Sequence, residues 1–265
     1  MMSAPHDDIA ACARLVQRGD PDRFMAAMAA KPAARDVLFP LYAFNLEVAR
    51  APWLTQEPMI AEMRLQWWRD ALEEIGQSGA ERGEVVRRHE VVTPLASFLN
   101  KSAAKLLDGL IVARRWDIHK APFEDAAHFA EYIDATSGNL MWVAARCLGE
   151  ADEGVVRDFA YAVGIANWLR AIPDLEERKR IPLVDGRPEA VALLASGALQ
   201  RLQAARKARA KVSKPAGQAL LSGWQGEAIL KQASTDPDRV AQGMLGQSEF
   251  QKKTSLMRKA LTGRW

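Results

Sequence analysis

Residues 60–75 read IAEMRLQWWRDALEEI. The apolar positions Ile60, Met63, Trp67, Trp68, Ala71, Leu72 and Ile75 recur at i, i+3, i+4 and i+7, which is the period of one helix face. Glu62, Gln66, Arg69, Asp70 and Glu73 fall on the other side. The spacing predicts an amphipathic helix, with Trp67 and Trp68 packed into a core.

The same period repeats on both sides of this stretch. One stripe runs through Leu99, Ala103, Leu106, Leu107, Leu110 and Ile111, and another through Val155, Val156, Phe159, Val163, Ala166 and Leu169. Asp20-Pro21 and Thr93-Pro94 each place a capping side chain before a proline suited to a first helical turn. Gly76, Gly149 and the Ile172-Pro173 pair read as helix stops. Residues 76–89 read as the mobile loop, and Val184 to Pro188 as another break. Alternating strand patterns are missing. The chain reads as all-α: one helical domain over residues 1–265, with no internal repeat and no domain linker.

Composition limits the function. The chain has 265 residues, 49% hydrophobic and 26% charged, with a formal net charge of +3. That charge is too small to predict a nucleic-acid partner. Cys12 and Cys147 lie far apart within helical patterns and read as reduced thiols. Residues Met1 to Asp8 carry acids and no apolar run, so no secretory signal is expected. No apolar stretch approaches the ~20 residues that span a bilayer. The expected location is the cytoplasm. A basic run (Arg201, Arg206, Lys207, Arg209, Lys211, Lys214) reads first as a solvated helix face, and second as a contact with anionic lipid or an acidic partner.

Other chemistry is poorly supported. His6, His89, His119 and His128 lack i, i+4 pairing and a cysteine at zinc spacing. Gly243 to Gly246 follows no strand and is not a dinucleotide fingerprint. Tyr132, Asp134, Thr136 and Ser137 cluster at a predicted helix break, where local capping by Asp134 or Ser137 explains them most simply.

Four ordered stretches resemble the squalene/phytoene synthase family. Asp22-Arg23-Phe24 with Leu41-Tyr42-Ala43-Phe44 is similar to the family's "RF … LYAF" opening, and Leu65-Gln66-Trp67-Trp68-Arg69 to its tryptophan-rich helix. Tyr132 through Gly138 looks like its "Y…AG" bend. Asn167-Trp168-Leu169-Arg170 with Arg178-Lys179-Arg180-Ile181-Pro182-Leu183 is similar to its "NxxR … RRGRxYLP" segment. The resemblance implies a helical bundle around a central cavity. It also implies head-to-head condensation of two prenyl diphosphates, with Mg²⁺ held between aspartate-rich helices and the diphosphate.

This chain departs from the family at the metal ligands. Where the family reads "CRxxDDxxD", residues 45–53 place Ala49, Arg50 and Trp53 at the aspartate positions. Where it reads "NxxRDxxED", Ala171 and Leu175 replace aspartates, and only the glutamate position keeps a carboxylate, as Asp174. Glu47 lies about 200° around the helix from Ala49 and is placed to neutralise Arg50 instead. A lone carboxylate beside an added arginine makes a poor Mg²⁺ site. No catalytic or metal-binding residue is therefore assigned.

Candidate cavity residues are Tyr42, Asn45, Arg64, Tyr132, Asn167, Arg170, Asp174, Arg178 and Arg180. The arginines suit direct phosphate clamping; pairing with Asp70, Asp174, Glu176 and Glu177 on the surface is the competing reading. Trp53, after Pro52, is placed either to plug the old cavity mouth or to leave it open.

Ala43-Phe44-Asn45-Leu46-Glu47 and Leu169-Arg170-Ala171-Ile172-Pro173 are similar to the family's mitochondrial branch of respiratory complex I assembly factors. That resemblance implies a non-catalytic scaffold. Its partners would be respiratory-complex subunits, with peripheral contact on the inner face of a membrane and no cofactor. Two alternatives stand beside it: an active Mg²⁺-dependent prenyltransferase, and an isoprenoid- or lipid-binding protein.

Overall fold

The computed structural model describes residues 6–77, 86–119 and 121–265. Residues 78–85, most of the segment read as a mobile loop, lie outside that description. Every regular element of the described residues is a helix, apart from one isolated bridge between Ala151 and Val212. Their buried apolar side chains form one contiguous cluster running from Cys12 to Trp265. Both cysteines are free. No described helix is long and apolar enough to cross a membrane.

Helix α1 (His6–Gly19) leads to α2 (Pro21–Ala29), whose start is the predicted cap: Asp20 accepts from the Arg23 backbone N–H, and Pro21 fills the first turn. Helix α3 (Pro32–Arg50) runs through Pro40. It buries Leu38, Leu41, Tyr42, Phe44 and Val48, so it is a central helix of the bundle.

Helix α4 (Pro58–Gln77) carries the tryptophan pair, but its register differs from the predicted one. Ala61, Leu65, Trp68, Leu72 and Ile75 face the core, whereas Met63 is 66% and Trp67 36% exposed. Ala61 and Leu65 complete a narrower stripe, which leaves the flanking apolar positions to solvent. Trp67 stands edge-on to Trp68 and carries the Arg87 guanidinium on its ring.

Helix α5 (Val92–Ala96) starts one residue before Thr93. Thr93 is therefore not its cap; its hydroxyl accepts from the His89 backbone N–H instead. Helix α6 (Lys101–Ala113) is capped by Asn100 and followed by a short α7 (Trp116–His119).

Helix α8 (Ala126–Ile133) passes through a wide π-type stretch, Asp134–Gly138, directly into α9 (Asn139–Leu148). The predicted break is thus a bulge in a continuous helix. Asp134 and Ser137 do not cap locally: Asp134 pairs with Arg157 at 2.9 Å, and the Ser137 hydroxyl donates to the Ala160 carbonyl, whereas the Thr136 hydroxyl donates back to the Tyr132 carbonyl at 2.7 Å.

Helix α10 (Glu153–Glu177) is the other central helix. It continues past Pro173, where a stop was predicted. Ile172 and Leu175 are buried on either side of the proline, and this packing outweighs the lost backbone hydrogen bond. Gly164 lets α10 approach the π-type stretch: a Cβ there would meet Ile133 Cγ2 at 2.7 Å.

Helices α11 (Pro188–Lys207), α12 (Gly217–Leu220), α13 (Gly226–Thr235), α14 (Asp238–Ala241) and α15 (Glu249–Thr262) complete the bundle. The basic run on α11 is partly paired across helices, Arg201 with Asp158 at 2.9 Å and Arg206 with Glu227.

Candidate functional site

Helices α3 and α10 line opposite parts of a cavity of about 730 Å³, with the π-type stretch and residues 222–226 closing the rest. Tyr42 and Asn45, buried on α3, face it. Five of the positions where the resemblance expects metal ligands also line it: Ala49, Arg50 and Trp53 from one side, Ala171 and Leu175 from the other. Asp174 lines it as well, exposed at the rim. The two helices therefore face the cavity as the resemblance implies, but with apolar and cationic side chains in place of carboxylates.

Trp53 lines the cavity without filling it. Its ring carries two guanidinium groups, Arg178 at 4.8 Å and Arg180 at 5.6 Å from the centroid. Arg180 is 4% exposed and also lies 4.5 Å from the centroid of Trp116, donating to the Trp116 carbonyl at 2.6 Å. Its Nε and Nη1 find no hydrogen-bond partner among the described residues, and burial pulls its pKa down. The indole faces supply part of the missing counter-charge.

The arginine set does not converge as one clamp. Arg170 pairs with Asp22 of α2 at 3.0 Å, not with the acids of its own helix. Arg178 lines the cavity and forms no ion pair with a described acid. Arg180 lies behind Trp53, off the cavity wall. Arg64 is a correction: it is exposed on the flank of α4 and does not reach the cavity, because the core contacts there are made by Ala61, Leu65 and Trp68. Asn167 lines the cavity from an exposed position on α10. Arg50 sits 3.8 Å from Glu47, so the surviving glutamate neutralises the added arginine.

The deeper wall holds a polar group that the sequence left unread. Tyr132 donates to the carboxylate of Asp117 at 3.2 Å, Arg114 donates to the Tyr132 hydroxyl at 2.8 Å, and Arg114 pairs with Asp117 at 3.2 Å. Asp117 is 4% exposed, so burial pushes its carboxyl up while Arg114 opposes that shift. Burial likewise raises the Tyr132 phenol. Trp116, Phe123 and Trp168 surround this group, with Trp116 and Phe123 stacked at 4.2 Å. The sequence had marked Tyr132 as a candidate cavity residue, but for its partners the only signal was the i, i+3 spacing of Arg114 and Asp117, which does not show burial.

The fit to Mg²⁺ fails on the donor set. A magnesium ion needs several oxygen ligands in near-octahedral array. Here Asp174 stands among Ala171 and Leu175, and Asp22 is engaged by Arg170. Asp20 is held by Arg23 at 3.0 Å. Among the described residues no group of three or more His, Cys, Asp or Glu side chains is placed to hold a metal ion.

The sequence model of squalene/phytoene synthase matches residues 16–184. The chain belongs to the squalene/phytoene synthase family. Solved structures agree on the fold of this family member. A dehydrosqualene synthase in complex with ligand superposes with a TM-score of 0.74 at 14% identity, covering 97% of this chain and 96% of that one. Squalene synthase HpnC from Alicyclobacillus acidocaldarius gives 0.68 at 18% identity, covering 91% and 97%. Among curated relatives, the Drosophila melanogaster homolog of complex I assembly factor 6 is 30% identical over 65% of this chain and 53% of its own length. Its Homo sapiens counterpart is 22% identical over 64% and 51%. The chain thus spans about half the length of the curated relatives it matches.

Proposed function

We propose that this squalene/phytoene synthase family member is a non-catalytic assembly factor for respiratory complex I. One observation carries the reading: the expected metal-ligand positions line an open cavity, yet present Ala49, Arg50, Trp53, Ala171 and Leu175. A diphosphate leaving group needs several positive charges close by, and this wall holds no ligand set to bring Mg²⁺ there. The names of the curated relatives support the same reading. So does the outer face of α4, where Met59 is 75% and Met63 66% exposed beside Trp67. An apolar stripe of this kind suits a protein partner.

Deleting the gene for this chain should lower the amount of assembled complex I while isoprenoid products stay unchanged. Normal complex I in the deletion strain would end the reading. The open volume also favours a compatible second reading, in which the cavity binds an isoprenoid or lipid without turning it over. Native mass spectrometry of the purified chain tests this, and a ligand-free spectrum after addition of such lipids would refute it.

A further inference from the structure

Beyond the central cavity, α15 forms a second cleft with α13. Leu256 is buried and anchors α15 to the bundle, while the opposite flank is bare. Phe250 is 77%, Met257 59% and Leu261 80% exposed. At 3.6 residues per turn these three fall within about 40° of one another. They form an apolar stripe, interrupted by Thr254 between Phe250 and Met257, along a helix that is otherwise strongly basic.

Beside the stripe, around the helix from Thr254 and Arg258, lies a cleft of about 500 Å³ lined by Trp224, Lys231, Gln247, Thr254, Arg258 and Lys259. Trp224 is 2% exposed, and its indole N–H has no hydrogen-bond partner among the described residues. Arg206 Nη2 is another buried donor without a described partner. It belongs to a guanidinium that bonds the Trp265 carbonyl and Glu227, itself a wall of the cleft. Cations outnumber acids here. Glu227 is shared by Arg206 and Lys231, and Glu249 is taken by Lys252. Lys253, Arg258 and Lys259 form no ion pair with a described acid. Burial pulls the Lys259 ammonium down to about 8, and the like charges of Arg206, Arg258 and Arg209 push the same way.

We infer that α15 is a membrane-surface helix: Phe250, Met257 and Leu261 insert into the acyl boundary while the α13–α15 cleft takes an anionic lipid headgroup. The two halves fit one occupant. An in-plane helix needs an apolar stripe flanked by cations, and a phosphate at headgroup depth would meet Lys231, Arg258, Lys259 and the free Trp224 N–H together. A protein partner would satisfy the stripe but gives no reason for a basic cleft in which the buried Trp224 N–H has no partner among the described residues. The inference does not depend on how the central cavity is used.

Sedimentation of the full chain with vesicles tests it. The chain should bind vesicles of phosphatidylcholine mixed with phosphatidylglycerol and not those of phosphatidylcholine alone. The F250S/M257S/L261S variant, altered only at exposed positions, should lose at least about tenfold in binding. The R258E/K259E variant should lose about fivefold or more per charge, with the circular dichroism of both variants unchanged. Equal binding to neutral vesicles, or undiminished binding by either variant, would overturn the inference. A wild-type dimer that the triple substitution converts to monomer would assign the stripe to a second copy and overturn it too. Inorganic phosphate occupying the cleft, without vesicle binding, would show an anion site unrelated to membranes and count equally against it.

Discussion

Restoring acids as A49D/R50D/W53D/A171D should create a Mg²⁺ site where the wild-type chain has none. All four positions line one cavity, and Asp174 already stands at its rim. With ~100 Kd of Mg²⁺ present, binding to the native state stabilises by about 2.7 kcal/mol, a rise of roughly 5–10 °C in Tm. Without metal, the added carboxylates repel one another, so the variant should melt below wild type in EDTA. Position 53 is the delicate one. Arg178 and Arg180 lie over the Trp53 ring, so an aspartate introduced there alone would be neutralised by them rather than left to hold a cation. W53D by itself should therefore gain no Mg²⁺ response. A quadruple variant that folds yet shows no Mg²⁺-dependent shift would mean that α3 and α10 do not face each other as described.

Asp117→Ala should be among the most destabilising single changes in the chain, by about 3–5 kcal/mol in urea denaturation. Arg114 is held at the deep wall by Asp117 and Tyr132, and removing the carboxylate strands its charge among aromatic rings. The size of that loss comes from the charge left behind, not from the strength of the pair. A D117L/R114M double variant should accordingly recover most of the loss, since a buried pair is replaced by apolar volume. A single variant that costs under about 1 kcal/mol would show that solvent in the cavity, which Arg114 already lines, screens the stranded charge.

Helix existence was legible where period and cap agreed: Asp20 before Pro21 and the stripe of α10 both act locally. Register was less legible. On α4 one flank of the true stripe is also apolar, through Ile60, Met63 and Trp67, and sequence cannot tell a core methionine from an exposed Met63. Pro173 misled because tertiary packing holds α10 beyond it.

At the site, the replaced positions were readable from their spacing, and the structure places them around one cavity. Three features were not readable. Arg64 follows the cavity residues Trp53 and Leu54 in sequence but lies on α4, none of whose residues lines the cavity. The Arg114–Asp117–Tyr132 group joins residues from α7 and α8 and the turn before them, and its burial depends on Trp116 and Phe123 closing over it. The indole of Trp53 became a platform for Arg178 and Arg180, a contact between distant segments that no local pattern encodes.

The proposed role requires a cavity that cannot ionise a diphosphate. Incubating the purified chain with farnesyl diphosphate and Mg²⁺, and following pyrophosphate, tests this most directly. The prediction is no metal-dependent pyrophosphate release above a protein-free control. Release that requires both protein and Mg²⁺, accompanied by a C30 product, would contradict it.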